Sequence, residues 1–298
     1  MPETPDISII GPGKVGTAIG TLAARAGRAV VAVGGGGPGK AEAAARAIGP
    51  GVRACSPADA ARAGRLVLLT VPDGAIGAVC EELAAAGAFS PGAVVAHCSG
   101  ALPGEVLAAA RDRCGCEVGS MHPLQTFPTV EAATAHLPGA YCFCEGDEPA
   151  VAALEELAGA IGCIAARIDP AGKALYHAAA IVACNYFVAL QDMAAELAEA
   201  AGVAPAVWHE AVGPMLQAAA ENAARLGPAE ALTGPIVRGD AATVARHVEA
   251  LTGRAELLRA AYEVLGRRTV ELARRTGRLD PAGAERVLHE LNHLSKKG

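Results

Sequence analysis

Aromatic side chains make up only 3 % of this 298-residue chain and tryptophan occurs once, so its core must be aliphatic and rest on close packing of small residues, alanine foremost. No Cys-x-x-Cys pair occurs among the nine cysteines. The pairs Cys114/Cys116 and Cys142/Cys144 lack a spaced partner pair, so no metal site is expected and the thiols read as reduced, small hydrophobes. Lys and Arg are scattered, the net charge is −6, and no basic stripe interleaved with aromatics exists, which argues against nucleic acid as a partner. No secretory leader opens the chain. The longest apolar stretch, 178–190, is interrupted by Asn185 and falls short of the ~20 residues a bilayer requires. The expectation is a soluble, cytoplasmic protein with no membrane partner.

What is present begins with Ile9-Ile10-Gly11-Pro12-Gly13-Lys14-Val15-Gly16, a GxGxxG run directly after a short apolar strand and directly before an alanine-rich helix. In that setting the first glycine makes the tight turn, the second lets backbone approach a pyrophosphate, and the third lets helix pack on strand. NAD or NADP is the implied cofactor, held by Gly11 to Gly16. A NAD-specific domain usually carries an acid at the end of the second strand; here the chain runs into Gly34-Gly35-Gly36-Gly37-Pro38-Gly39-Lys40 instead. That favours NADP, with NAD possible. Lys40, with Arg46 nearby, either meets a 2′-phosphate or only caps a solvated helix.

From residue 6 to 169, β-branched runs alternate with helical windows. Strands are expected at 6–10, 29–33, 52–55, 65–71, 93–98, 117–121, 140–144 and 163–168, and helices at 14–26, 40–48, 57–63, 75–86, 102–113 and 148–161. This is an α/β fold, a Rossmann-type doubly wound parallel sheet. After Asp169-Pro170 the strands stop, and helices are expected at 172–201, 205–226, 241–251, 256–276 and 281–294. Residues 1–169 therefore form a dinucleotide-binding domain and residues 170–298 an all-α domain for substrate and dimerisation, its apolar first helix the spine.

Three polar clusters stand out downstream. Ser99, in His97-Cys98-Ser99-Gly100, either contacts nicotinamide or substrate or caps the helix from Leu102. His122 follows the next strand, in Ser120-Met121-His122-Pro123, and is expected in the pocket. Lys173 and His177 share a helix face at spacing i,i+4, with Asn185 two turns on. Hydride delivery to a carbonyl or imine needs a proton donor, so Lys173 or His177 is the candidate and Asn185 could bond a carboxylate; alternatively both only hydrate the helix start. Thr233 and Arg238, in the loop Leu232 to Asp240, suit anion recognition or a subunit contact; Arg238 either clamps a substrate carboxylate or pairs with Asp240 for structure, and Asp240 is a candidate helix cap.

These runs, with Thr70-Val71-Pro72-Asp73-Gly74-Ala75-Ile76, His122-Pro123-Leu124-Gln125-Thr126-Phe127, Tyr176-His177-Ala178-Ala179 and Thr233-Gly234-Pro235, make the chain resemble the oxidoreductases that join a Rossmann-like domain to a C-terminal helical domain of unknown function. The second half is similar to the 6-phosphogluconate dehydrogenase C-terminal superfamily. The resemblance implies a nicotinamide-dependent reductase or dehydrogenase of a small molecule, Val71 and Pro72 beside the cofactor, and ketopantoate, a 2-oxo acid, as the leading substrate. The chain departs from the Lys-x-x-x-Asn spacing of β-hydroxyacid dehydrogenases, since His177 follows Lys173 at i+4. An imine reductase similar to pyrroline-5-carboxylate reductase, and a catalytically silent nicotinamide-binding sensor or scaffold, are the alternatives.

Overall fold

Each strand of the first half is a short apolar run whose successive residues feed opposite helical layers. In the computed structural model, which describes residues 5–296 and side chains through 293, β1 (Ile7–Ile10) sends Ile7 and Ile9 into one core and Ile10 into the other. With β2 (Val30–Gly34), β3 (Arg53–Cys55), β4 (Leu66–Leu69), β5 (Val94–His97), β6 (Glu117–Pro123), β7 (Tyr141–Gly146) and β8 (Ile164–Arg167) it forms one sheet of order β3-β2-β1-β4-β5-β6-β7-β8. Helices α1 (Lys14–Arg25), α2 (Lys40–Ile48) and α7 (Glu148–Ala160) cover one face. On the other lie α3 (Pro57–Ala63), α4 (Asp73–Ala85) and α5 (Ala108–Cys114). The eight strands and doubly wound α/β layering agree with the sequence expectation.

Four details differ. β7 runs antiparallel to β6; the connection 124–140 leaves and re-enters at the same end of the sheet, and carries α6 (Val130–His136), capped by Thr129 and packed on α1. The helix expected at 102–113 begins instead as a 3-10 turn, Gly104–Leu107, ahead of α5. Gly104 is why: a Cβ there would stand 2.8 Å from Gly119 Cα, so the backbone is pressed against β6 before a regular helix can form. The single helix expected at 172–201 is a 3-10 turn (Pro170–Gly172), then α8 (Lys173–Ala183) and α9 (Asn185–Ala200). Cys184 interrupts it at φ −116° and ψ −63°. Finally, the helical stretch 170–200 contains an 18-residue window with a mean hydropathy of 1.4, so by length and composition alone it is long and apolar enough to cross a membrane.

Contacts divide the chain into Met1–Tyr186 and Phe187–Gly298. The first unit thus takes in α8, whose first residue is anchored in the sheet. The second contains α10 (Pro205–Ala231), α11 (Ala241–Leu251), α12 (Glu256–Arg275) and α13 (Pro281–Lys296). Its core is Val244, Val248 and Leu251 against Val270, Ala273, Val287 and Leu291. In α10 the helical geometry breaks at Gly227, φ 79°, ahead of Pro228, where the sequence expectation ended the helix. All nine cysteines are free.

Candidate functional site

In a parallel sheet the loops that follow the strands gather at one edge. Here β1, β4, β5 and β6 are neighbours in that order, so Gly11, Val71 and Ser99 follow one another along the edge. They are joined by His122, which the structure places within the last residues of β6 and not after the strand as the sequence suggested. Strand spacing puts the ends of this row roughly 14 Å apart.

At the β1 end, Gly11 adopts φ 102°, and a Cβ there would lie 2.8 Å from the Thr70 carbonyl and 2.9 Å from Val71 Cγ1. A Cβ on Gly16 would strike Thr70 Oγ1, Ile9 and the Gly11 carbonyl, whereas one on Gly13 would meet only Thr70 O at 3.9 Å. Gly13 therefore faces open space while its neighbours are packed. Thr70 holds the turn by donating its hydroxyl to Gly11 O at 2.6 Å. No side chain caps the N-terminus of α1 and no acid lies in its first turn. The first helical N–H groups, left without intrahelical partners, face the same space. This cradle fits a pyrophosphate. Pro12 walls it, since a Cβ on Gly36 would run into the Pro12 ring, and Lys14 stays exposed while Val15 packs on the core. Val71 lies beneath Gly11, and Pro72 starts α4. Lys40, exposed, opens α2 within 3.2 Å of that same Gly36 position. Arg46 lies six residues along α2 and lines a separate depression with Gly49, Pro50 and Val52, so it is not beside Lys40.

The Ser99 hydroxyl has no hydrogen-bonding capacity left for a ligand. It donates to Asp73 at 2.6 Å and accepts from the N–H groups of Ala101 at 3.2 Å and Leu102 at 3.1 Å, which closes a turn. It caps no helix from Leu102, because the first helical turn begins at Gly104 behind Pro103. His97, fully buried, sets the loop: its Nδ1 accepts from Ser99 N at 3.1 Å and its Nε2 faces Pro103 O at 3.1 Å. Nε2 must then carry the proton. Burial drives its pKa down to about 4.

At the β6 end a cavity of about 670 Å³ lies within the first unit, walled by His122, Gln125, Phe127, Tyr176, His177 and Asn185 together with small apolar residues of α8. His122 Nδ1 is 2.8 Å from the Tyr176 hydroxyl, and the His122 and His177 rings meet edge to face at 5.8 Å. Gly100 makes room for them; a Cβ there would lie 2.6 Å from His177 and 2.8 Å from His122 Nε2. Burial, reinforced by charge at His177 and Lys173, lowers the His122 pKa to about 4, and burial raises that of Tyr176 to about 12. Both are neutral near pH 7. The break at Cys184 brings Asn185 to the wall.

Lys173 stands apart from this cavity. Neither hydrating the helix start nor lining the pocket, it is 1 % exposed, and its ammonium donates to Ser120 Oγ and to Glu145 Oε1 at 3.1 Å. Ser120 in turn donates to Glu145, which also accepts from Gly104 N–H at 2.9 Å. One buried cluster thus ties α8, β6, β7 and the 3-10 turn together. Burial lowers the Lys173 pKa and Glu145 opposes the shift. Glu145 and Ser120 were not foreseen as partners; the one signal was an acid ending the apolar run Tyr141 to Cys144. Tyr176 was visible only as a neighbour of His177. Thr233 and Arg238 belong to the second unit, both exposed, and Asp240 caps α11 through Thr243 N at 3.0 Å.

Residues 2–123 match the Rossmann-like domain family, and residues 140–269 match a domain of unknown function, DUF2520. No protein of curated function matches the sequence. Among solved structures, the fold is similar to BF3122 of Bacteroides fragilis, whose NADP oxidoreductase role is itself an inference (TM-score 0.73, 21 % identity, 89 % of this chain and 98 % of that one). It is also similar to a reductive aminase of Aspergillus terreus in complex with NADPH and ethyl-5-oxohexanoate (0.58, 18 %, 99 % and 95 %). An imine reductase from a Pseudomonas species gives 0.57 at 18 % identity over 99 % and 96 % of the two chains. At these identities the likeness is one of fold.

Proposed function

We propose, for a chain that joins a Rossmann-like domain to the DUF2520 helical domain, that it is an NADPH-dependent reductase of a small, uncharged carbonyl compound or imine. The observation that carries this reading is the cavity at the β6 end of the row of strand ends that starts at the glycine cradle: its described lining contains no Lys, Arg, Asp or Glu. A carboxylate placed there would meet no Lys or Arg side chain and would have only the His122 and His177 imidazoles, hydroxyls and neutral amides beside it. This weighs against ketopantoate and other 2-oxo acids and for the imine alternative or a plain ketone. The solved reductive aminase and imine reductase structures support the same class.

Gly11 to Gly16 and the start of α1 would hold the pyrophosphate, Val71 and Pro72 the adjoining wall, and Lys40 a 2′-phosphate. NADPH supplies a hydride when bound. What the chain's own residues add is a proton: Tyr176 gives its hydroxyl proton to the substrate oxygen or nitrogen, and His122 Nδ1 restores it, with water reloading the imidazole. Burial, which raises the Tyr176 pKa to about 12, keeps the hydroxyl protonated at neutral pH, and the proton transfer runs downhill to the more basic alkoxide. His177 and Asn185 orient the substrate. Lys173 holds the helix that presents them.

A second reading, a 2-oxo acid reductase of the ketopantoate kind, rests on Arg238, an exposed guanidinium whose charge helps to lower the Asp240 pKa. Supporting a homodimer through the helical region, α8 and α9 expose Leu175 (79 %), Val182 (61 %) and Val188 (63 %). The nine free thiols suit the reducing cytoplasm.

The test follows NADPH consumption with a size-matched panel of one ketone, one cyclic imine and one 2-oxo acid. Turnover of an uncharged member at least about tenfold above the 2-oxo acid, a difference near 1.4 kcal/mol, supports the proposal. A preference for the 2-oxo acid restores the second reading, and tight NADPH binding with no turnover favours a silent sensor. Sedimentation of the wild type against Leu175→Asp tests the dimer; a wild-type monomer removes it.

A further inference from the structure

The last described helix carries His289-Glu290-Leu291-Asn292-His293, two histidines one turn apart on α13. Their rings meet edge to face with centroids 4.8 Å apart, and the two Nε2 atoms lie 3.2 Å from each other. Such a separation requires one nitrogen to present a proton and the other a lone pair. Replacing that shared proton by a metal ion changes little: two bonds of about 2.0–2.1 Å spanning 3.2 Å subtend roughly 100°, near the tetrahedral value.

The backbone that carries the pair is fixed independently of any metal. Leu291, between the two histidines, and Val287 are fully buried in the core of the helical unit. Asn292 is taken up by Arg267. His289 itself is exposed, so an ion can reach it from solvent. The spacing is that of the H-E-x-x-H helix of zinc hydrolases, but those sites need a third protein ligand. Among the described residues no group of three His, Cys, Asp or Glu converges.

We propose that His289 and His293 form a two-ligand site for one divalent transition-metal ion of the zinc, nickel and copper group, water filling the remaining positions. It clamps the final turns of α13 and has no hydrolytic role. Weighing only cysteine pairs, as the sequence expectation of no metal did, passes over it.

Untagged full-length protein titrated with Zn2+ by calorimetry provides the test, with thermal unfolding in parallel. The wild type should bind about one ion per chain, and H289A and H293A should each raise the Kd at least about tenfold; H209A, which removes another exposed histidine, should match the wild type. Zn2+ should raise the unfolding temperature of the wild type and of H209A but not of the two other variants. Undiminished binding in H289A and H293A, an equal loss in H209A, or no Zn2+ response from the wild type would each overturn the assignment.

Discussion

Removing the ammonium of Lys173 should destabilise the first unit far more than a typical core substitution. The Nζ to Glu145 distance of 3.1 Å corresponds to about 5 kcal/mol of attraction at an effective dielectric of ~20. Desolvation offsets much of this while the pair is intact. In Lys173→Met the apolar stem is kept, but the carboxylate of Glu145 remains buried with only Ser120 and the Gly104 N–H as partners. Breaking a buried pair from one side costs about 3–5 kcal/mol. Adding Glu145→Gln should recover most of it, because the amide oxygen can still accept from Gly104 and Ser120 while no charge is left behind. The double-mutant cycle should therefore give a coupling of about 2–4 kcal/mol. Urea unfolding followed by far-ultraviolet circular dichroism is the assay, since the single tryptophan, Trp208, lies in the second unit and reports on the wrong half. A loss under about 1 kcal/mol in Lys173→Met, or a double variant no more stable than the single, would refute the reasoning.

Three further outcomes follow from the same geometry. His97 is buried neutral with its pKa lowered from 6.5 to about 4, so between those values the unfolded chain binds the extra proton. Stability from this source should be complete above pH 6.5 and fall as the pH drops toward 4, by about 3 kcal/mol from His97 and a similar amount from His122, whose pKa is lowered as far; urea midpoints at neutral and acid pH should show it, with a smaller fall in His97→Gln, and a flat profile would contradict it. Gly16→Ala drives a Cβ into Thr70 Oγ1 and Ile9, which should cost about 1–3 kcal/mol and weaken NADPH binding in a thermal-shift titration, with Thr70→Ala in the same chain relieving part of the loss. Tyr176→Phe should lower kcat about 10²–10⁴-fold while leaving NADPH affinity unchanged, and an unimpaired variant would remove Tyr176 as proton donor.

The parts of this molecule that were legible in its sequence are those dictated by local rules. Ile7 to Ile10 can only be a doubly covered strand, and Gly11, Gly13 and Gly16 carry their meaning in their spacing, because turn, approach and packing are decided within a few residues. The reversal of β7 was not legible, since 141–144 reads equally well in either direction and strand sense is set by where the 124–140 connection re-enters. Nor was the fate of Lys173. A lysine at a helix start normally hydrates it, and whether it instead enters the protein depends on an acid 28 residues earlier and a serine 53 residues earlier meeting it across β6 and β7. That dependence bears on the chemistry. The spacing of Lys173, Tyr176 and His177 along α8 places the lysine in the sheet and the other two at the cavity, so anchoring the first fixes the rotation that presents the others. If so, Lys173 acts on the reaction through position, and Lys173→Met/Glu145→Gln, which keeps the anchor neutral and filled, should retain much more turnover than Tyr176→Phe. Equal losses in the two would mean that the ammonium itself takes part in the chemistry.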